Sequence, residues 1–359
     1  MTLDRFEKAI NKMEKEGLSQ LIVTSESDLF YFLGKWVHSG ERMIALYINK
    51  NGDKKLIINE IIMNPKEFKN VDAIGYRDGQ DPIEILLGLV DENEKLGIDK
   101  NWPSHFLIEL MERKPAMKFV NSSKVIDGVR LIKGADEVEK LAKVSAIVDK
   151  VMNDFVSIVP QKFTEKEAEG KLLELFKKHG SEKFSFEPII AYGANAANPH
   201  HLNSNAVPQS GDCIIIDIGG VTDDYCSDTT RTVFLGEPCE EAKKIYELVR
   251  KANEAAIAKV KPGVTLGEID RAARAVIEEA GYGEYFTHRT GHGIGIEVHE
   301  LPSVSDGNAM KLEPGMAFSI EPGIYMEGKY GVRIEDIVIV TEDGCRVLNQ
   351  YPKEIQIIK

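Results

Sequence analysis

Cysteine is scarce in this chain, and no two cysteines form a CxxC pair. The 359 residues include four cysteines, which we interpret as free thiols in a reducing compartment. A cytoplasmic location is therefore expected. The four are Cys213, Cys226, Cys239 and Cys345.

Long apolar runs and basic stripes are missing as well. No run approaches the roughly 20 apolar residues that a membrane-spanning helix needs. The N-terminal stretch MTLDRFEKAINKMEKEG is charged and amphipathic, without the apolar core of a signal peptide. The formal net charge of −13 argues against a nucleic-acid-binding protein, which would carry basic patches. We expect neither nucleic acid nor a membrane among the partners.

The length and the order of the predicted elements indicate two domains. A chain of 359 residues, 43% of them hydrophobic, is long enough for two cores, since one domain commonly takes about 150 residues. Residues 1–126 are predicted to form a small α/β domain, and residues 127–137 a linker. The elements predicted in this domain are a helix over 4–17 and strands over 20–25, 43–49 and 55–60.

Residues 138–359 are predicted to form a second, α+β domain. Its antiparallel hairpins should carry helices on one face. Strands are expected over 213–219, 224–235, 316–321 and 331–340, and one helix over about 240–260. Three further helices are expected to begin at capping-box patterns: Asp136 with Glu139, Thr164 with Glu167, and Thr265 with Glu268.

One predicted hairpin brings two aspartates together. In IIIDIGGVTDDYCSDTTRT, a fold about residues 222–223 places Asp217 opposite Asp228, with both side chains on one face. Asp217 follows three isoleucines, a run typical of a buried strand. Because two facing carboxylates repel each other, a cation is expected between them.

A second predicted hairpin repeats this arrangement with glutamates. In FSIEPGIYMEGKYGVRIEDIVIV, a fold about Gly328 places Glu321 opposite Glu335, and Arg333 shares their face. Acids are mostly solvated surface charges. These acids lie in apolar runs, however, where an unpaired carboxylate costs several kcal/mol. Four such carboxylates favour a metal site over surface charges.

The segment HRTGHGIGIEVHE, residues 288–300, supplies histidines to such a site. An imidazole among carboxylates suits Mn²⁺, Co²⁺, Fe²⁺ or Zn²⁺, and the set exceeds what one tetrahedral ion uses. Two ions sharing carboxylates can also hold a bridging hydroxide as nucleophile. The glycines alternatively suggest a phosphate loop, but no GKS or GKT follows. We expect Gly291 and Gly293 to let the backbone pass close to the metals.

These motifs resemble the pita-bread metallopeptidases, the group that includes methionine aminopeptidase, aminopeptidase P and prolidase. The resemblance rests on IDIGG, SDTTRT, TGHGIG, SIEPG and VRIED within residues 140–359. The preceding residues resemble the creatinase-type N-terminal domain of prolidases. The resemblance implies two divalent metal ions, with Mn²⁺ expected and Co²⁺ or Zn²⁺ as alternatives. The implied ligands are Asp217, Asp228, His292, Glu321 and Glu335, of which Asp228 and Glu335 bridge the ions.

The resemblance also implies catalytic roles for side chains around the metals. Glu321 is implied to be a ligand and the general base. His200 and His299 are implied to stabilise charge on the substrate carbonyl oxygen. Packing as ordinary buried histidines is the alternative for both. His201 stands where the family usually has glycine, and no role is implied for it.

Three substrate-binding residues follow from the same resemblance. His288 is implied to line a proline pocket, and Tyr325 is a weaker candidate. Arg333 either orients Glu335 or anchors a substrate carboxylate, with a plain salt bridge as the alternative.

The activity implied is hydrolysis of the Xaa-Pro imide bond by a metal-bridging hydroxide. The likeness is closest to bacterial Xaa-Pro dipeptidases, and aminopeptidase P, which acts on longer Xaa-Pro peptides, is the alternative. Ser303 stands where some prolidases carry an arginine thought to hold the dipeptide carboxylate, which counts against a dipeptidase. A metal-free pseudoenzyme or interaction module would have lost ligand residues, and all are present in this chain. A homodimer is the expected assembly.

Overall fold

The chain divides into two compact units, residues 1–130 and 131–359, and the computed structural model describes residues 4–359 of it. Each unit combines helices with β-sheets of its own, so the predicted two-domain architecture is confirmed. The break falls within the predicted linker, residues 127–137. Residues 127–130 end one helix, and residues 135–137 begin the next.

The N-terminal unit is built on a six-stranded mixed sheet. Its helices are α1 (Arg5–Lys15), α2 (Glu26–Leu33), α3 (Pro82–Leu87), α4 (Ser104–Arg113) and α5 (Ser123–Arg130). Its strands are β1 (Gln20–Val23), β2 (Ala45–Asn49), β3 (Lys54–Asn59), β4 (Asp72–Tyr76), β5 (Leu96–Ile98) and β6 (Phe119–Asn121). The strands lie in the order β4-β3-β2-β1-β5-β6. Ile22, Ile57 and Leu96 belong to the core of this unit.

The C-terminal unit contains four long helices, two of which begin at side-chain caps. They are α6 (Ala135–Ile158), α7 (Glu165–His179), α8 (Glu240–Lys259) and α9 (Leu266–Glu279). The capping boxes predicted at Thr164 and Thr265 are confirmed. The one predicted at Asp136 is wrong, because Gly134 is the N-cap and Glu137 closes the box. Among the helices that the structure describes, none combines the length and apolar character needed to cross a bilayer.

The strands of the C-terminal unit form several small sheets. They are β7 (Lys183–Phe184), β8 (Ile189–Tyr192), β9 (Cys213–Ile218), β10 (Gly220–Thr222), β11 (Tyr225–Cys226), β12 (Thr229–Leu235), β13 (Gly291–Gly293), β14 (Glu300–Val304), β15 (Ala317–Ile320), β16 (Gly323–Met326), β17 (Tyr330–Arg333), β18 (Asp336–Val340), β19 (Cys345–Val347) and β20 (Ile357–Ile358). The two that carry the site are the four-stranded sheet β20-β12-β9-β8 and the five-stranded sheet β14-β13-β15-β18-β19. Helices α8 and α9 share a core with the second of these through Ile245, Ile269 and Phe318.

The aspartate hairpin folds one residue later than predicted. Asp223 and Asp224 both have positive φ, 51° and 68°, as a two-residue hairpin turn requires. The register therefore places Asp217 opposite Thr230, not opposite Asp228. A shift of two residues keeps the same face. Asp228 lies immediately before β12 and still lies near Asp217.

The register predicted for the glutamate hairpin is confirmed. The chain turns at Gly328, whose φ is 73°, and the strands pair as Gly323 with Arg333 and Ile320 with Asp336. Glu321 and Glu335 lie between these paired segments, outside the strands themselves. Both residues therefore stand just beyond the paired strands, and their side chains line the same cavity.

Candidate metal centre

A cavity of about 440 Å³ in the C-terminal unit collects almost all of the predicted site residues. Its walls include the five predicted metal ligands, Asp217, Asp228, His292, Glu321 and Glu335. They also include four other predicted residues, His200, His288, His299 and Arg333. Tyr325 lies behind the wall, where its hydroxyl forms hydrogen bonds with His288 and Arg333. The sequence motifs therefore converge on one place in the fold.

Strand ends position the acids, and a strand centre positions the histidine. Asp217 lies in β9 and His292 in β13, while Asp228, Glu321 and Glu335 flank strands. The backbone hydrogen bonds of the adjoining strands therefore fix the positions from which these carboxylates extend. Asp228 and Glu335 are 4% and 2% exposed, so both charges lie out of water.

The carboxylates leave oxygen atoms that have no hydrogen-bond donor. Asp217 Oδ1, Asp228 Oδ1 and Glu335 Oε1 are buried and have no partner among the residues that the structure describes. Ligand atoms of Asp228, Glu335 and His292 lie within 4.8 Å of one another. Buried acceptors that face each other without a donor are costly. A divalent cation among Asp228, Glu335 and His292 would satisfy the free oxygens of the two acids, so these residues fit a metal site.

His292 presents a lone pair, not a proton, to these acids. Its Nδ1 lies 3.2 Å from the carbonyl oxygen of Gly293. A carbonyl can only accept, so Nδ1 carries the hydrogen and Nε2 is the bare nitrogen. Nε2 lies 3.3 Å from Glu321 Oε1 and 3.6 Å from Asp228 Oδ2. Burial lowers the pKa of His292 to about 3, so the ring is neutral and suited to bind a metal.

Burial and mutual repulsion raise the pKa of the acids in the metal-free protein. Burial, followed by the charge of Glu335, holds the pKa of Asp228 well above its usual value. Burial, followed by the charge of Glu321, does the same for the pKa of Glu335. Burial raises the pKa of Glu321 to about 7. Without a cation, these groups cannot all be ionised at neutral pH.

We expect the chelated protein to lose stability as the pH rises. A carboxyl whose folded pKa exceeds its unfolded value stabilises the fold fully below the unfolded value, and this stability is lost as the pH rises through the folded pKa. For Glu321 these values are 4.5 and about 7, so melting in EDTA should fall by about 5 °C or more between roughly pH 5 and pH 8. Adding Mn²⁺ should restore more stability at pH 8 than at pH 5. Equal melting temperatures at both pH values would contradict the charge repulsion among these acids.

Arg333 joins the two pairs of acids. Arg333 Nη2 donates to Asp217 Oδ2 at 2.6 Å, and its Nε donates to Thr230 Oγ1 at 3.1 Å. The Thr230 hydroxyl in turn donates to Glu335 Oε2 at 2.7 Å. The guanidinium is 3% exposed, and each of its three nitrogens donates to a protein acceptor, including the Tyr325 hydroxyl. These contacts favour the role of orienting ligands over that of anchoring a substrate.

A hydrogen-bond chain extends from Arg333 to the predicted proline pocket. Arg333 Nη1 donates to the Tyr325 hydroxyl at 2.8 Å, and this hydroxyl lies 2.9 Å from His288 Nε2. His288 Nδ1 lies 2.7 Å from the carbonyl oxygen of Arg289, so Nδ1 carries the hydrogen and Nε2 accepts from Tyr325. Burial lowers the pKa of His288 to about 4. His288 is therefore a fixed, neutral wall of the cavity.

His299 and His200 line the cavity without serving as anchors of the fold. The ring of His299 stands edge-on to that of His292, with 4.2 Å between centroids. Desolvation lowers the pKa of His299, so it is neutral near pH 7. His200 is exposed, and its backbone N–H donates to the Asn198 side chain at 3.0 Å. Both imidazoles are open to a molecule in the cavity.

His201 has a role that the sequence did not indicate. Its Nε2 lies 2.8 Å from Glu165 Oε2, and the Glu165 side chain is fully buried. The same carboxylate accepts from the backbone N–H of Tyr192, from Asn195 Nδ2, and from the backbone and hydroxyl of Ser204. Glu165 thereby ties down both ends of the loop that carries His200.

Replacing Glu165 by alanine should lower the free energy of unfolding by about 3 kcal/mol, because several buried donors would lose their acceptor. The activity should fall as well, through the loosened loop that carries His200. Chemical denaturation measures the first effect. Glu174→Ala, on the same helix α7, is the matched control, since Glu174 lies on the exposed face of that helix. Equal destabilisation by both changes would mean that Glu165 does not hold the loop.

Gly291 and Gly293 are required by the packing of the backbone around them. A Cβ at position 291 would lie 1.9 Å from the carbonyl oxygen of Ser319. One at position 293 would lie 2.0 Å from the carbonyl oxygen of Leu301. The glycines thus let β13 approach the backbones of its neighbours β14 and β15, which brings His292 into place.

Sequence reasoning missed two groups of residues, one behind the ligands and one in the cavity wall. Thr230 and Ser319 hold Glu335 and Glu321 by hydrogen bonds of 2.7 and 3.1 Å. Placing the turn at Asp223 and Asp224 would have found Thr230, because that register sets it opposite Asp217. The cavity wall also includes residues that no motif singled out: Phe186, Glu187, Ile189, Pro199, Arg289 and Val298.

Comparison with known proteins matches both units of the chain. Residues 139–342 match metallopeptidase family M24, and residues 5–132 match the creatinase/prolidase N-terminal domain. An uncharacterised peptidase of Staphylococcus aureus is 34% identical over 360 residues, covering 98% of this chain and 100% of that protein.

Solved structures are similar over the whole length of the chain. A dipeptidase of Mycobacterium ulcerans has a TM-score of 0.93 and 35% identity, covering 99% of this chain and 97% of that chain. A prolidase of Thermococcus sibiricus has a TM-score of 0.92 and 36% identity, covering 100% of both chains. These similarities confirm the predicted order of a creatinase-type domain followed by a pita-bread metallopeptidase domain.

Proposed function

This chain belongs to metallopeptidase family M24, and from that premise we propose that it hydrolyses the Xaa-Pro imide bond of dipeptides. One observation supports the proposal above the others. Asp217, Asp228 and Glu335 each have a buried carboxylate oxygen without a donor, and they line one cavity together with His292, whose Nε2 is bare. The cavity is large enough for a dipeptide. The similar chains from Mycobacterium ulcerans and Thermococcus sibiricus are called a dipeptidase and a prolidase, which supports the substrate class.

We assign the metal ions to the five residues that line the cavity together. Asp217 would serve one ion, His292 and Glu321 the other, and Asp228 and Glu335 would bridge them. When bound, two divalent ions polarise the scissile carbonyl and lower the pKa of water at the site. Carboxylates with one imidazole suit Mn²⁺, with Co²⁺ or Zn²⁺ as alternatives. Through their hydrogen bonds, Arg333 and Thr230 would fix the orientation of Asp217 and Glu335.

Glu321 is the residue placed to move the proton. Ser319 donates to its Oε1 at 3.1 Å, which fixes the carboxyl within the cavity. Glu321 would accept a proton from the attacking water and deliver it to the proline nitrogen as the carbon–nitrogen bond breaks.

The histidines would act on the substrate. His299 and His200 would donate hydrogen bonds to the carbonyl oxygen as negative charge develops on it. His288, held by Tyr325, would form one wall of the site for the proline ring. Proline lacks a backbone N–H, so such a site recognises the ring by shape and not by a hydrogen bond to the amide.

An aminopeptidase that acts on longer Xaa-Pro peptides is the second candidate. Ser303 favours it, because a serine at this position brings no positive charge for the carboxylate of a dipeptide. A cytoplasmic location and a homodimeric assembly stay predictions.

A product assay by mass spectrometry tests the proposed function. The chelated protein is reloaded with Mn²⁺ and incubated with Ala-Pro, Ala-Pro-Ala and Ala-Ala in parallel. We expect alanine and proline from Ala-Pro, much slower cleavage of the tripeptide, and intact Ala-Ala. Preferential cleavage of Ala-Pro-Ala would establish the aminopeptidase instead. Intact Xaa-Pro substrates of both lengths would overturn both candidates.

A further inference from the structure

A dipeptide brings a negative charge into a cavity that is already acidic. Its terminal carboxylate lies on the proline, one residue from the bond that breaks. The cavity walls contain Asp217, Asp228, Glu321 and Glu335. Bound metal ions offset those charges, but the added carboxylate still needs a cation of its own to leave water at low cost.

Two guanidinium groups line the cavity, those of Arg333 and Arg289. Arg333 is buried, and its nitrogens already donate to Asp217, Tyr325 and Thr230. Moving Arg333 to a substrate would break its buried ion pair with Asp217, which is strongly unfavourable. The second guanidinium is therefore the candidate.

Arg289 combines a fixed backbone with an unpaired side chain. On one side, the carbonyl oxygen of His288 accepts from Arg274 Nη2 at 3.0 Å. On the other, the N–H and hydroxyl of Thr290 donate to the buried Asp270 at 3.1 and 2.7 Å. The Arg289 side chain is exposed and forms no ion pair with any carboxylate in residues 4–359. Its hydrogen bond is a long one, 3.4 Å from Nη1 to Ser303 Oγ.

The contact with Ser303 places the guanidinium beside the metal centre. Ser303 lies directly opposite His292 in the ladder between β13 and β14, and opposed residues share one face of a sheet. The Arg289 side chain therefore lies on the face of β13 that carries His292, and its guanidinium lies on the cavity side. A planar, always charged group with free N–H donors at this point matches a carboxylate in two-point geometry.

We propose that Arg289 binds the terminal carboxylate of the Xaa-Pro dipeptide and so sets the preference for dipeptides. This inference rests on the proposed function. It resolves the objection raised by Ser303, because the positive charge comes from position 289 and the small serine leaves room for it. Longer peptides carry an amide at the same place, which a guanidinium attracts far less than a carboxylate.

The first test compares Ala-Pro with Ala-Pro amide on the unaltered enzyme. The two substrates share the scissile bond and differ only in the charge that Arg289 would bind. We expect kcat/KM for Ala-Pro to exceed that for the amide by about ten- to a hundredfold, the range of a hydrogen-bonded charge pair. Equal values would overturn the proposal without any variant being made.

The second test repeats the comparison with Arg289→Ala. The preference for the free acid should fall to about one, mainly through KM, and Arg289→Lys should retain part of it. If Arg289 instead acted only through the electrostatic effect of its charge on His292 and His299, kcat/KM would fall equally for both substrates. The preference for the free acid would then stay. Arg271→Ala is the control, since it removes an exposed arginine that pairs with Asp306 on the same unit. That variant should keep the full preference.

A rescue variant separates binding from a disturbed fold. Because Ser303 Oγ lies where the Arg289 guanidinium ends, Ser303→Arg added to Arg289→Ala should restore the preference for Ala-Pro over its amide. A double variant as unselective as Arg289→Ala would contradict the assigned position of the carboxylate. If the unaltered enzyme cleaves only longer peptides, the proposed function has failed. If it cleaves Ala-Pro and Arg289→Ala keeps the preference, only this inference has failed.

Discussion

Replacing Glu335 by glutamine is expected to reduce kcat for Ala-Pro by about a thousandfold or more, because one of the charges that would bridge the two ions is removed. Glu335 is 2% exposed, and its free oxygen faces the cavity without a donor. Glutamine has the same shape and retains an oxygen for the Thr230 hydroxyl. The chain should therefore stay folded and lose metal, which metal analysis and circular dichroism of the same sample would show.

The thermal stability of the Glu335→Gln variant offers an independent check. Because the metal-free protein holds Glu335 against the charges of its neighbours, Glu335→Gln should raise the melting temperature of the chelated protein at pH 8. Glu313→Gln, a change at an exposed acid of the same unit, is the control and should alter neither activity nor melting. Full activity in Glu335→Gln would rule out the assignment of Glu335 as a shared ligand.

Replacing His299 by alanine is expected to lower kcat by about a hundredfold or more, in the range measured for loss of one oxyanion donor. His292 Nε2 lies 3.3 Å from Glu321 Oε1 and 3.6 Å from Asp228 Oδ2, whereas the ring of His299 stands beside that of His292 and forms no ion pair with a carboxylate in residues 4–359. KM and metal content should therefore change much less than kcat. Steady-state kinetics and metal analysis measure these quantities.

His299→Gln is the informative companion to this variant. Glutamine keeps an N–H donor, so it should recover part of kcat if His299 donates to the carbonyl oxygen. His105→Ala, a histidine of the N-terminal unit, serves as the control. Loss of metal from His299→Ala would instead assign His299 to the ligand set and overturn its role as a donor to the substrate.

The residues of the site could be predicted from the sequence better than the details of the fold around them. Strand periodicity and a glycine turn located Glu321 and Glu335, because the chain does turn at Gly328, as the sequence predicts. The aspartate hairpin contained three adjacent turn formers. The alternation pattern alone could not decide which pair adopts positive φ, so the register slipped by two residues.

Contacts between segments that are distant in the chain could not be predicted from the sequence, for a physical reason. Which partner Arg333 selects depends on the packing of β9 against β17, and a local pattern contains no information about that packing. No sequence motif singled out Glu165, yet it is the acceptor that holds the loop carrying His200. No motif singled out Arg289 either, and only the fold places it in the wall of the cavity.

The most direct test of a dinuclear hydrolase is a metal titration with two readouts on one sample. The protein is stripped by a chelator and titrated with Mn²⁺, and bound metal and Ala-Pro hydrolysis are measured at each point. We expect no hydrolysis by the stripped protein and full activity as binding approaches two ions per chain. Hydrolysis that persists without metal, or that reaches its maximum with fewer than two ions bound per chain, would contradict a dinuclear mechanism.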